Sequence, residues 1–488
     1  MAGVDTAAGS SAAAPWRTWS KARARFQTMA GGDTVAFCRG GSWTGAGDPQ
    51  EATPVRNAGC SAASTCIMRD YPPTWGGTAR PRLQLSAGSG IMTFGWYQNY
   101  TSVTAGYAIW NLEFVGNSAD GTNPAESGFY FAGSTTDVDT CNLEIHHGIK
   151  QAFYFVTNST LARINVRDSY IHHNRGQICA ICGGADDLTV SGNTFDYIGD
   201  GNVFSHTIYF WTSPGEPQCG NGTTQVHTGY GTLCPVQRVA LRNNVITNSS
   251  WGSGTGCKGV AVSMHDTFDG LVIEGNLVAE PVATPTEGCY GIAFGAGGEA
   301  IQLKGLVMRG NRVFGMGGNG IAVSGAPGAL IENNLVVGGA ALTTCIAYPE
   351  QHAGADDLVS TGGTVRNNTC YLPSGGGGST AIWGINEGSG HVYANNAVVT
   401  SGGSACVGTP GSGGISGGVP AGSTVAANLC SATGAGWFAA AGLDLATASF
   451  HPASASPLLG AGTTSYAPAT DLTGAARGSP PTVGAYEH

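Results

Sequence analysis

The sequence predicts an all-β fold, a right-handed parallel β-helix in which short strands wind into a solenoid. The first observation is a recurring phrase in which an asparagine precedes a short apolar run and a glycine-rich turn. Its asparagines are Asn193, Asn244, Asn276, Asn311, Asn334, Asn368 and Asn396, at intervals of 51, 32, 35, 23, 34 and 28 residues. Periods of about 20 to 50 residues are typical of solenoids, propellers and arrays.

The second observation is an alternating strand that follows each asparagine phrase. In residues 207–210 we expect Ile208 and Phe210 to face the core and Tyr209 to face outward, because side chains alternate along a strand. The equivalent outward positions form one predicted column of Tyr154, Ala180, Tyr209, Ala261, Ala293, Ala322, Ala347 and Trp383. A propeller needs even blades of four antiparallel strands, and the intervals vary too much for that.

The third observation is the composition of the chain. Its 488 residues include 79 glycines, 42% are hydrophobic and 11% are charged. This excludes a disordered acidic chain and favours many short strands joined by tight turns. The net charge of −10 and the lack of any Lys/Arg-rich run exclude a nucleic-acid partner. The sequence also has no run of 18 apolar residues, so it predicts no membrane span.

The asparagine phrases have a physical reason in a solenoid. Asparagine tolerates the left-handed backbone conformation that tight turns require, and stacked side-chain amides can hydrogen-bond from coil to coil. We therefore expect the asparagines at the turns between strands.

We divide the chain into four parts within one structural domain. Residues 1–14 are a flexible lead-in, 15–106 an N-terminal cap with the first coils, 107–403 the regular coils, and 404–488 the last coils with a closing segment. Apolar residues from Trp19 to Met29 at helical spacing predict a short helix that covers the first coil, with Thr18 as N-cap and a stop at Gly31-Gly32. Residues 32–37 then form the first strand.

Fourteen cysteines predict disulfides and hence an oxidising, extracellular compartment. The local pairs that spacing suggests are Cys60 with Cys66, Cys219 with Cys234, Cys345 with Cys370, and Cys406 with Cys430. The Cys179-x-x-Cys182 motif lacks a second such motif or a nearby histidine, so we expect a structural role for it rather than a zinc site.

Both ends of the chain carry recognisable phrases. The C-terminal segment contains Asp471-x-x-Gly474-x-x-Arg477 and then Gly484-Ala485-Tyr486-Glu487, and the N-terminal segment contains Pro15-Trp16-Arg17-Thr18 and Gly31-Gly32-Asp33-Thr34-Val35. Together they resemble secreted bacterial proteins of the pectate-lyase-like right-handed parallel β-helix superfamily. The resemblance implies this fold, and it implies that an extended sugar polymer would lie across a parallel sheet in a groove walled by long loops. The superfamily contains lyases, hydrolases, epimerases, esterases and proteins with no known reaction.

Three long loops point to one part of the predicted solenoid. They span residues 210–236, 248–258 and 281–289, and all three border the strand at residues 207–210. Function tends to concentrate on long loops held by a rigid scaffold. The residues before successive strands there form a predicted polar column that includes His206, Lys258 and Tyr290.

These residues suit β-elimination at a uronate, which needs a base, a carboxylate neutraliser and an acid. We predict that Lys258 or His206 serves as base or neutraliser and Tyr209 or Tyr290 as acid. Trp211, Trp383 and Tyr154 would bind sugar rings. The alternative for His206 is a hydrogen bond to a turn, and for Lys258 a solvated loop position.

Carboxylates offer the rival chemistry of glycoside hydrolysis, or a calcium site. The candidates near the same coils are Asp186, Asp187, Asp196, Asp200, Asp266 and Asp269. Asp186-Asp187 recurs as Asp356-Asp357 before another asparagine phrase, so we predict a turn role for these four. His265-Asp266 is the more interesting pair, one rung from Trp211.

Two histidine pairs, His146-His147 and His172-His173, align 26 residues apart and should stack on neighbouring coils. We expect one histidine of each pair to point inward as a neutral core residue, and we predict no metal there.

The sequence therefore predicts a secreted protein that acts on a polysaccharide, a lyase ahead of a glycoside hydrolase. The alternative is a non-catalytic surface, matrix or polysaccharide-binding protein, which the flat alanine-rich column favours. Whether His206, Tyr209, Lys258 and His265-Asp266 meet in one cleft would discriminate between the two.

Overall fold

The computed structural model is built almost entirely of strands that stack in parallel into long sheets. It describes residues 3–49, 54–72, 77–95, 103–117, 128–156, 160–174, 179–202, 204–212, 226–228, 231–249, 251–252, 256–280, 289–294, 301–338, 344–350, 357–373, 381–384, 387–400, 407–408 and 419–488. One α-helix, Trp19–Phe26, precedes the strands, and a single 3₁₀ turn, Thr464–Tyr466, lies near the C-terminus of the described residues.

Three sheets of 13, 13 and 11 strands form the walls of the solenoid. Sheet 1 consists of Thr34–Cys38, Cys66–Tyr71, Val103–Trp110, Ser134–Cys141, Thr160–Arg167, Thr189–Ser191, Ala240–Arg242, Val272–Glu274, Val307–Arg309, Leu330–Glu332, Thr364–Arg366, Val392–Ala394 and Thr424–Ala426. Sheet 2 consists of Ser42–Ala46, Arg82–Leu85, Glu113–Val115, Glu144–His146, Tyr170–Asn174, Thr194–Ile198, Val245–Ser249, Leu277–Ala279, Arg312–Phe314, Leu335–Val337, Thr369–Leu372, Ala397–Thr400 and Leu429–Ser431. Sheet 3 consists of Met92–Phe94, Phe129–Phe131, Phe153–Phe155, Ile181–Cys182, His206–Phe210, Gly259–Met264, Cys289–Phe294, Asn319–Ala322, Thr344–Ala347, Ile382–Trp383 and Val407–Gly408.

Small sheets decorate the turns and the end of the solenoid. A parallel one joins Val236–Gln237, Thr267–Asp269 and Gln302–Lys304. The antiparallel pairs are Asp48–Pro49 with Ser89–Gly90, Val226–Thr228 with Gly231–Leu233, Trp251–Gly252 with Gly256–Cys257, and Phe438–Ala440 with Ser449–Pro452.

Each coil visits sheets 1, 2 and 3 in turn, and its next coil pairs with it in parallel. In one coil the three strands are Thr189–Ser191, Thr194–Ile198 and His206–Phe210. The inward side chains of successive coils stack into one continuous core, as Phe94, Phe131 and Phe155 do with ring centroids 5.3 and 5.0 Å apart. The predicted right-handed parallel β-helix is confirmed.

A ladder of side-chain amides runs along the turn between sheets 1 and 2. The Nδ2 group of Asn276 donates to Oδ1 of Asn311 on the next coil at 3.0 Å and to the Leu241 carbonyl at 2.9 Å, while its Oδ1 accepts from the backbone and side chain of Asn244. The same pattern links Asn193, Asn244, Asn276, Asn311, Asn334, Asn368, Asn396 and Asn428. The ladder satisfies the buried polar groups of a turn that water does not reach.

The left-handed residue of each turn is the one before the ladder asparagine. It is glycine at positions 192, 275 and 310, asparagine at positions 243, 333, 367 and 395, and alanine at position 427, all with positive φ. The prediction assigned both the left-handed conformation and the amide ladder to the asparagine phrase. The structure divides these two tasks between adjacent residues.

The N-terminal helix covers the open end of the first coil, as the apolar spacing predicted. Trp19 and Phe26 are buried in the common core, where Trp19 stacks on Phe37 and Phe26 contacts Tyr107. Thr18 is the N-cap and accepts the backbone N–H of Lys21. The helix ends at Phe26, earlier than the expected stop at Gly31-Gly32.

The C-terminal closing segment docks on the outer face of sheet 2 along the later coils. Trp437, Phe438, Phe450, Val483 and Tyr486 pack there against outward side chains such as Phe314 and Leu335. The two C-terminal phrases, residues 471–477 and 484–487, hold this segment together. Arg477 contacts Glu487 at 3.3 Å, and the Asp471 carboxylate accepts the Glu487 backbone N–H. The left-handed asparagines of the last coils bind the segment, as in the 2.7 Å hydrogen bond from Arg477 to Oδ1 of Asn333.

Four disulfides lie among the described residues: Cys60–Cys66, Cys179–Cys182, Cys257–Cys289 and Cys345–Cys370. Two predicted pairs are confirmed, Cys179 and Cys182 are bonded to each other, and Cys257–Cys289 was missed. The other predicted pairs involve Cys219 and Cys406, which lie outside the described residues. Cys38 and Cys141 are free thiols within the described part of the chain.

Candidate functional site

Five of the predicted site residues meet on and beside the strand His206–Phe210 of sheet 3. The Tyr209 ring lies 4.9 Å from His206, 5.4 Å from His265 and 6.1 Å from Trp211, measured between ring centroids. Tyr209 and Trp211 are nearly parallel at 10°, whereas His265 meets Tyr209 edge-on. Tyr209 is therefore the centre of a compact aromatic and imidazole cluster.

Asp266 anchors the histidine of this cluster. Its Oδ1 lies 3.4 Å from Nδ1 of His265, and its Oδ2 accepts the backbone N–H of Thr212 at 2.8 Å. Asp266 is buried and adopts a left-handed backbone with φ of 60°. A carboxylate beside Nδ1 holds the proton on that nitrogen, so Nε2 of His265 carries the lone pair. This histidine–aspartate pair is built for proton transfer at Nε2.

His206 has the opposite arrangement of its ring nitrogens. The backbone N–H of Val260 donates to Nδ1 of His206 at 3.3 Å, so Nδ1 is the acceptor and Nε2 carries the proton. Burial is the main cause that lowers the pKa of His206 to about 4. His206 is therefore a neutral donor at physiological pH, which argues against the predicted role as base.

The rungs of the site differ from the predicted alignment by two residues. Val260 lies opposite His206, and Tyr290 lies opposite Val260. Lys258 therefore precedes the rung on which we expected it, although the prediction that Tyr290 belongs to this column is confirmed. Two alignments that differ by two residues predict the same alternation of inward and outward side chains. The sequence pattern alone therefore could not detect the shift.

The outward column of sheet 3 is largely as predicted. Tyr154, Tyr209, Ala293, Ala322, Ala347 and Trp383 occupy it, but Cys182 and Ser263 take the places expected for Ala180 and Ala261. Both of those alanines lie in the central core instead. Seven rung steps separate Tyr154 from Trp383, roughly 34 Å at the spacing of neighbouring strands.

The middle of this column is an apolar strip of buried alanines. Ala293, Ala322 and Ala347 form a separate cluster on the outer face, flanked by Val260, Tyr290, Phe294 and Trp383. Polar atoms with unused hydrogen-bonding capacity lie along the same sheet. Within the described part of the chain, Thr207 Oγ1, Trp211 Nε1, Ser263 Oγ and Trp383 Nε1 are buried without a partner. Such groups are rare in folded proteins and call for an explanation.

Most of the rival carboxylates have structural partners. The Asp186 carboxylate accepts the backbone N–H of Gln237, Asp187 pairs with Arg238 at 2.6 Å, and Asp357 accepts the backbone N–H of Ile301. These are the turn roles that we predicted; Asp356 lies outside the described residues. Asp196 bonds to Thr247 and Asn248, and Asp200 to its own loop at Asn202 and Ser205. Asp269 lies in register with Gln237 and Lys304.

The sequence analysis missed Glu280, a buried carboxyl group where sheet 2 leads towards sheet 3. Its Oε1 accepts the backbone N–H of Ser249 at 2.6 Å, and its Oε2 has no partner within the described residues. Burial is the main cause that raises the pKa of Glu280 to about 8, and the charge of Asp196 adds to it. The neighbouring Cys257 and Cys289 form a disulfide and offer no thiolate. The sequence signal for Glu280 was a single acidic residue directly after the apolar run at residues 277–279.

The two histidine pairs stack on the outer face of sheet 2. His146 lies on His172 with ring centroids 4.7 Å apart and 7° between planes, and His147 lies on His173 at 5.1 Å and 2°. The predicted stacking is confirmed. The inward position of the strand Glu144–His146, however, belongs to Ile145 and not to a histidine. His146 and His172 are nevertheless buried, which lowers the pKa of each to about 4.

No protein-family model and no curated protein matches this chain. Solved structures match it at low identity. They include a rhamnogalacturonan lyase (12% identity, TM-score 0.47, covering 72% of this chain and 84% of that chain) and a PL6 family polysaccharide lyase from Pseudopedobacter saltans (13%, 0.48, 89% and 94%). Another is the A-module of a mannuronan C-5 epimerase from Azotobacter vinelandii (16%, 0.43, 85% and 93%). What these proteins share with the chain is the right-handed parallel β-helix architecture.

Proposed function

We propose that this protein is an extracellular polysaccharide lyase whose substrate lies along the outer face of sheet 3. The observation that carries the proposal is the convergence of His206, His265 and Trp211 on Tyr209, with Asp266 behind His265. It supports a base, an acid and a stacking surface on one strand and its neighbour. The disulfides support an oxidising compartment, and no helix among the described residues is long and apolar enough to cross a membrane.

In this proposal His265 is the base and Tyr209 the acid. Nε2 of His265 takes the proton from the carbon next to the uronate carboxyl group, and the electron pair left behind forms a carbon–carbon double bond. The glycosidic bond at the adjacent carbon breaks, and the Tyr209 hydroxyl protonates the departing oxygen. Asp266 stabilises the imidazolium that forms on His265. The products are an unsaturated uronide and a new reducing end.

The Nε2–H group of His206 contributes a neutral hydrogen bond in the same place. Donors that point to developing charge stabilise an elimination transition state. Neutralising the uronate carboxylate remains the proposed task of Lys258. Calcium has no part in this proposal, in which the two oxygens of the Asp266 carboxylate contact His265 and Thr212. Hydrolysis by paired carboxylates is also less well supported, since Asp266 is the one candidate aspartate found in contact with the cluster.

The column of sheet 3 suits an extended polymer. Tyr154 and Trp383 lie seven rung steps apart along it, Trp211 stacks on Tyr209, and the alanine strip lies between Ser263 and Trp383. Aromatic side chains offer flat apolar surfaces for sugar rings.

The alanine strip also favours a second candidate, a non-catalytic polysaccharide-binding protein. A flat face without charged groups binds a polymer without needing to act on it. Fold alone does not decide between the two, because this architecture carries many functions.

Binding separates these candidates from a protein with no carbohydrate partner. Purified protein is tested against soluble uronate-bearing and neutral polysaccharides by affinity electrophoresis. We expect Trp211→Ala and Trp383→Ala to weaken retardation by at least about tenfold, whereas Trp110→Ala on sheet 1 leaves it unchanged. Equal loss in all three variants, or no retardation by any polymer, would contradict a binding face on sheet 3.

A further inference from the structure

The two histidine pairs on sheet 2 have a geometry that repeat similarity does not explain. Within each pair the two rings are nearly perpendicular, at 83° for His146 and His147 and 87° for His172 and His173. Their Nδ1 atoms face each other, 2.5 Å apart in the first pair and 2.8 Å in the second. Stacking of the pairs on adjacent coils then places the ring of His146 4.7 Å from that of His172, and the ring of His147 5.1 Å from that of His173.

Carboxylates lie on the far sides of two of these rings. Oε1 of Glu113 is 3.2 Å from Nε2 of His146, and Oε1 of Glu144 is 3.4 Å from Nε2 of His172. A carboxylate at Nε2 holds the proton there and leaves a lone pair on Nδ1. Histidines that bind metals are oriented in this way by an outer carboxylate, which also makes the ligating nitrogen more basic. The arrangement occurs twice, once on each coil.

We propose that His146, His147, His172 and His173 form a binding site for a divalent transition metal through their Nδ1 atoms. Ligating nitrogens of His146, His147 and His172 already lie within 4.8 Å of one another. In a tetrahedral zinc site with Zn–N bonds of about 2.0–2.1 Å the nitrogens are roughly 3.3 Å apart. Each pair would therefore open slightly, and the rings of the two coils would tilt towards each other while the paired strands keep their spacing.

The ion-free pairs are held by a hydrogen bond that metal binding would replace. In each pair the histidine without a carboxylate partner, His147 or His173, carries its proton on Nδ1. That N–H group donates a hydrogen bond to the Nδ1 lone pair of His146 or His172. Metal binding requires the proton of His147 and of His173 to move from Nδ1 to Nε2, so the rings stay neutral and no net proton is released. Both of these side chains are partly exposed, which gives an ion a route from solvent.

The ligand set determines which metals would bind. Four imidazole nitrogens favour Zn²⁺, Cu²⁺, Ni²⁺ and Co²⁺ over Ca²⁺ and Mg²⁺, which prefer oxygen ligands. The site lies on the outer face of sheet 2 and bridges two adjacent coils. It is separate from the cluster around Tyr209 on sheet 3, so the metal would clamp the solenoid and would not take part in the proposed elimination. The site does not depend on the proposed function.

Stoichiometric binding tests this proposal. Tag-free full-length protein, stripped with a chelator and dialysed, is titrated with Zn²⁺ by calorimetry, and with Co²⁺ by visible absorbance. We expect one ion per chain with micromolar or tighter affinity and a higher melting temperature in excess metal. Ca²⁺ at the same concentrations should leave the melting temperature unchanged.

Variants locate the ion. His147→Asn and His173→Asn together remove two ligands while keeping a residue that tolerates the left-handed backbone at both positions, where φ is 58° and 51°. This double variant should fold with the wild-type melting temperature in chelator and lose stoichiometric binding. Glu113→Gln should weaken binding about tenfold or more without abolishing it. His451→Ala, which removes a histidine whose ring centroid lies 4.4 Å from that of Tyr486, is the matched control and should bind normally. Absence of a stoichiometric site, or binding unchanged in the double variant, would overturn the proposal.

Discussion

The backbone N–H of Val260 donates a 3.3 Å hydrogen bond to Nδ1 of His206, and this contact fixes which ring nitrogen holds the proton. On the neighbouring strand, Asp266 places the proton of His265 on the opposite nitrogen. Two histidines on either side of Tyr209 are therefore a donor and an acceptor, although sequence alone gives no reason to distinguish them. The proposed roles of acid, base and hydrogen-bond donor follow from this difference.

His206 provides the first prediction. Because it is a neutral donor and not the base, His206→Ala should lower turnover by about tenfold to a hundredfold without shifting the acidic limb of the pH–rate profile. His206→Gln, which retains an N–H donor, should recover part of the loss. A shift of the acidic limb in His206→Ala would show that His206 is the titrating base.

Asp266 provides the second prediction. Asp266→Asn keeps an oxygen for the Thr212 N–H group and tolerates the left-handed backbone, so the fold should persist with little change in melting temperature. It removes the charge that stabilises imidazolium on His265, so kcat should fall by about a hundredfold or more. Measured kcat and KM test this; an unchanged kcat would mean that the pair is only structural.

Glu280 provides a pH-dependent prediction for stability. Its pKa is raised from 4.5 to about 8 in the folded protein, so the folded state favours the protonated acid. The stabilisation is complete below about pH 4.5 and is lost as the pH rises towards 8, on the order of 1.4 kcal/mol per pH unit at most. Glu280→Gln keeps the acceptor for Ser249 and should remove this slope.

Melting temperatures of the two proteins from pH 5 to 8 check the prediction. Wild-type protein should lose stability relative to Glu280→Gln as the pH rises, with the variant the more stable of the two at pH 8. Parallel curves across this range would show that Glu280 ionises normally.

The amide ladder provides the fourth prediction. Asn276→Ala removes four buried hydrogen bonds and leaves groups on both adjacent coils unpaired, so it should cost on the order of 3 kcal/mol. Asn428→Ala, at the partly exposed end of the ladder, should cost less than about 1 kcal/mol. Denaturant unfolding of both variants measures the difference, and equal costs would contradict a cooperative ladder.

The fold was predictable because its signals are local and repeated. Asparagines such as Asn276 mark the turns, and alternation marks the inward residues, so architecture and core follow from pattern alone. The rungs were harder to assign. Residues 259–264 are displaced by two from the predicted alignment, so Ser263 and not Ala261 lies opposite Tyr209. Ala261 lies in the core because strict alternation does not hold along this strand.

The grouping of five of the predicted site residues could be predicted from the sequence, but their roles could not. His206, Tyr209, Trp211, His265 and Asp266 were singled out by their position beside long loops, and they do meet. The proton positions depend on partners such as Val260 and Thr212, whose backbone groups carry no sequence signal. Glu280 was missed because a single acid after an apolar run resembles an ordinary surface residue until its burial is known. Asn333 and Arg477 are 144 residues apart, and their contact has no local signal either.

The most direct test of the proposed lyase is the ultraviolet absorbance of an unsaturated uronide, followed together with new reducing ends, on a panel of uronate-bearing and neutral polysaccharides. Wild-type protein should produce both signals in equal amounts on at least one uronate-bearing polymer, and His265→Ala should lower the rate by about a thousandfold or more while still binding that polymer. Reducing ends without the double bond would indicate hydrolysis. If neither signal appears while the protein still binds the polymer, the proposed lyase activity is contradicted. The protein would then be a polysaccharide-binding protein.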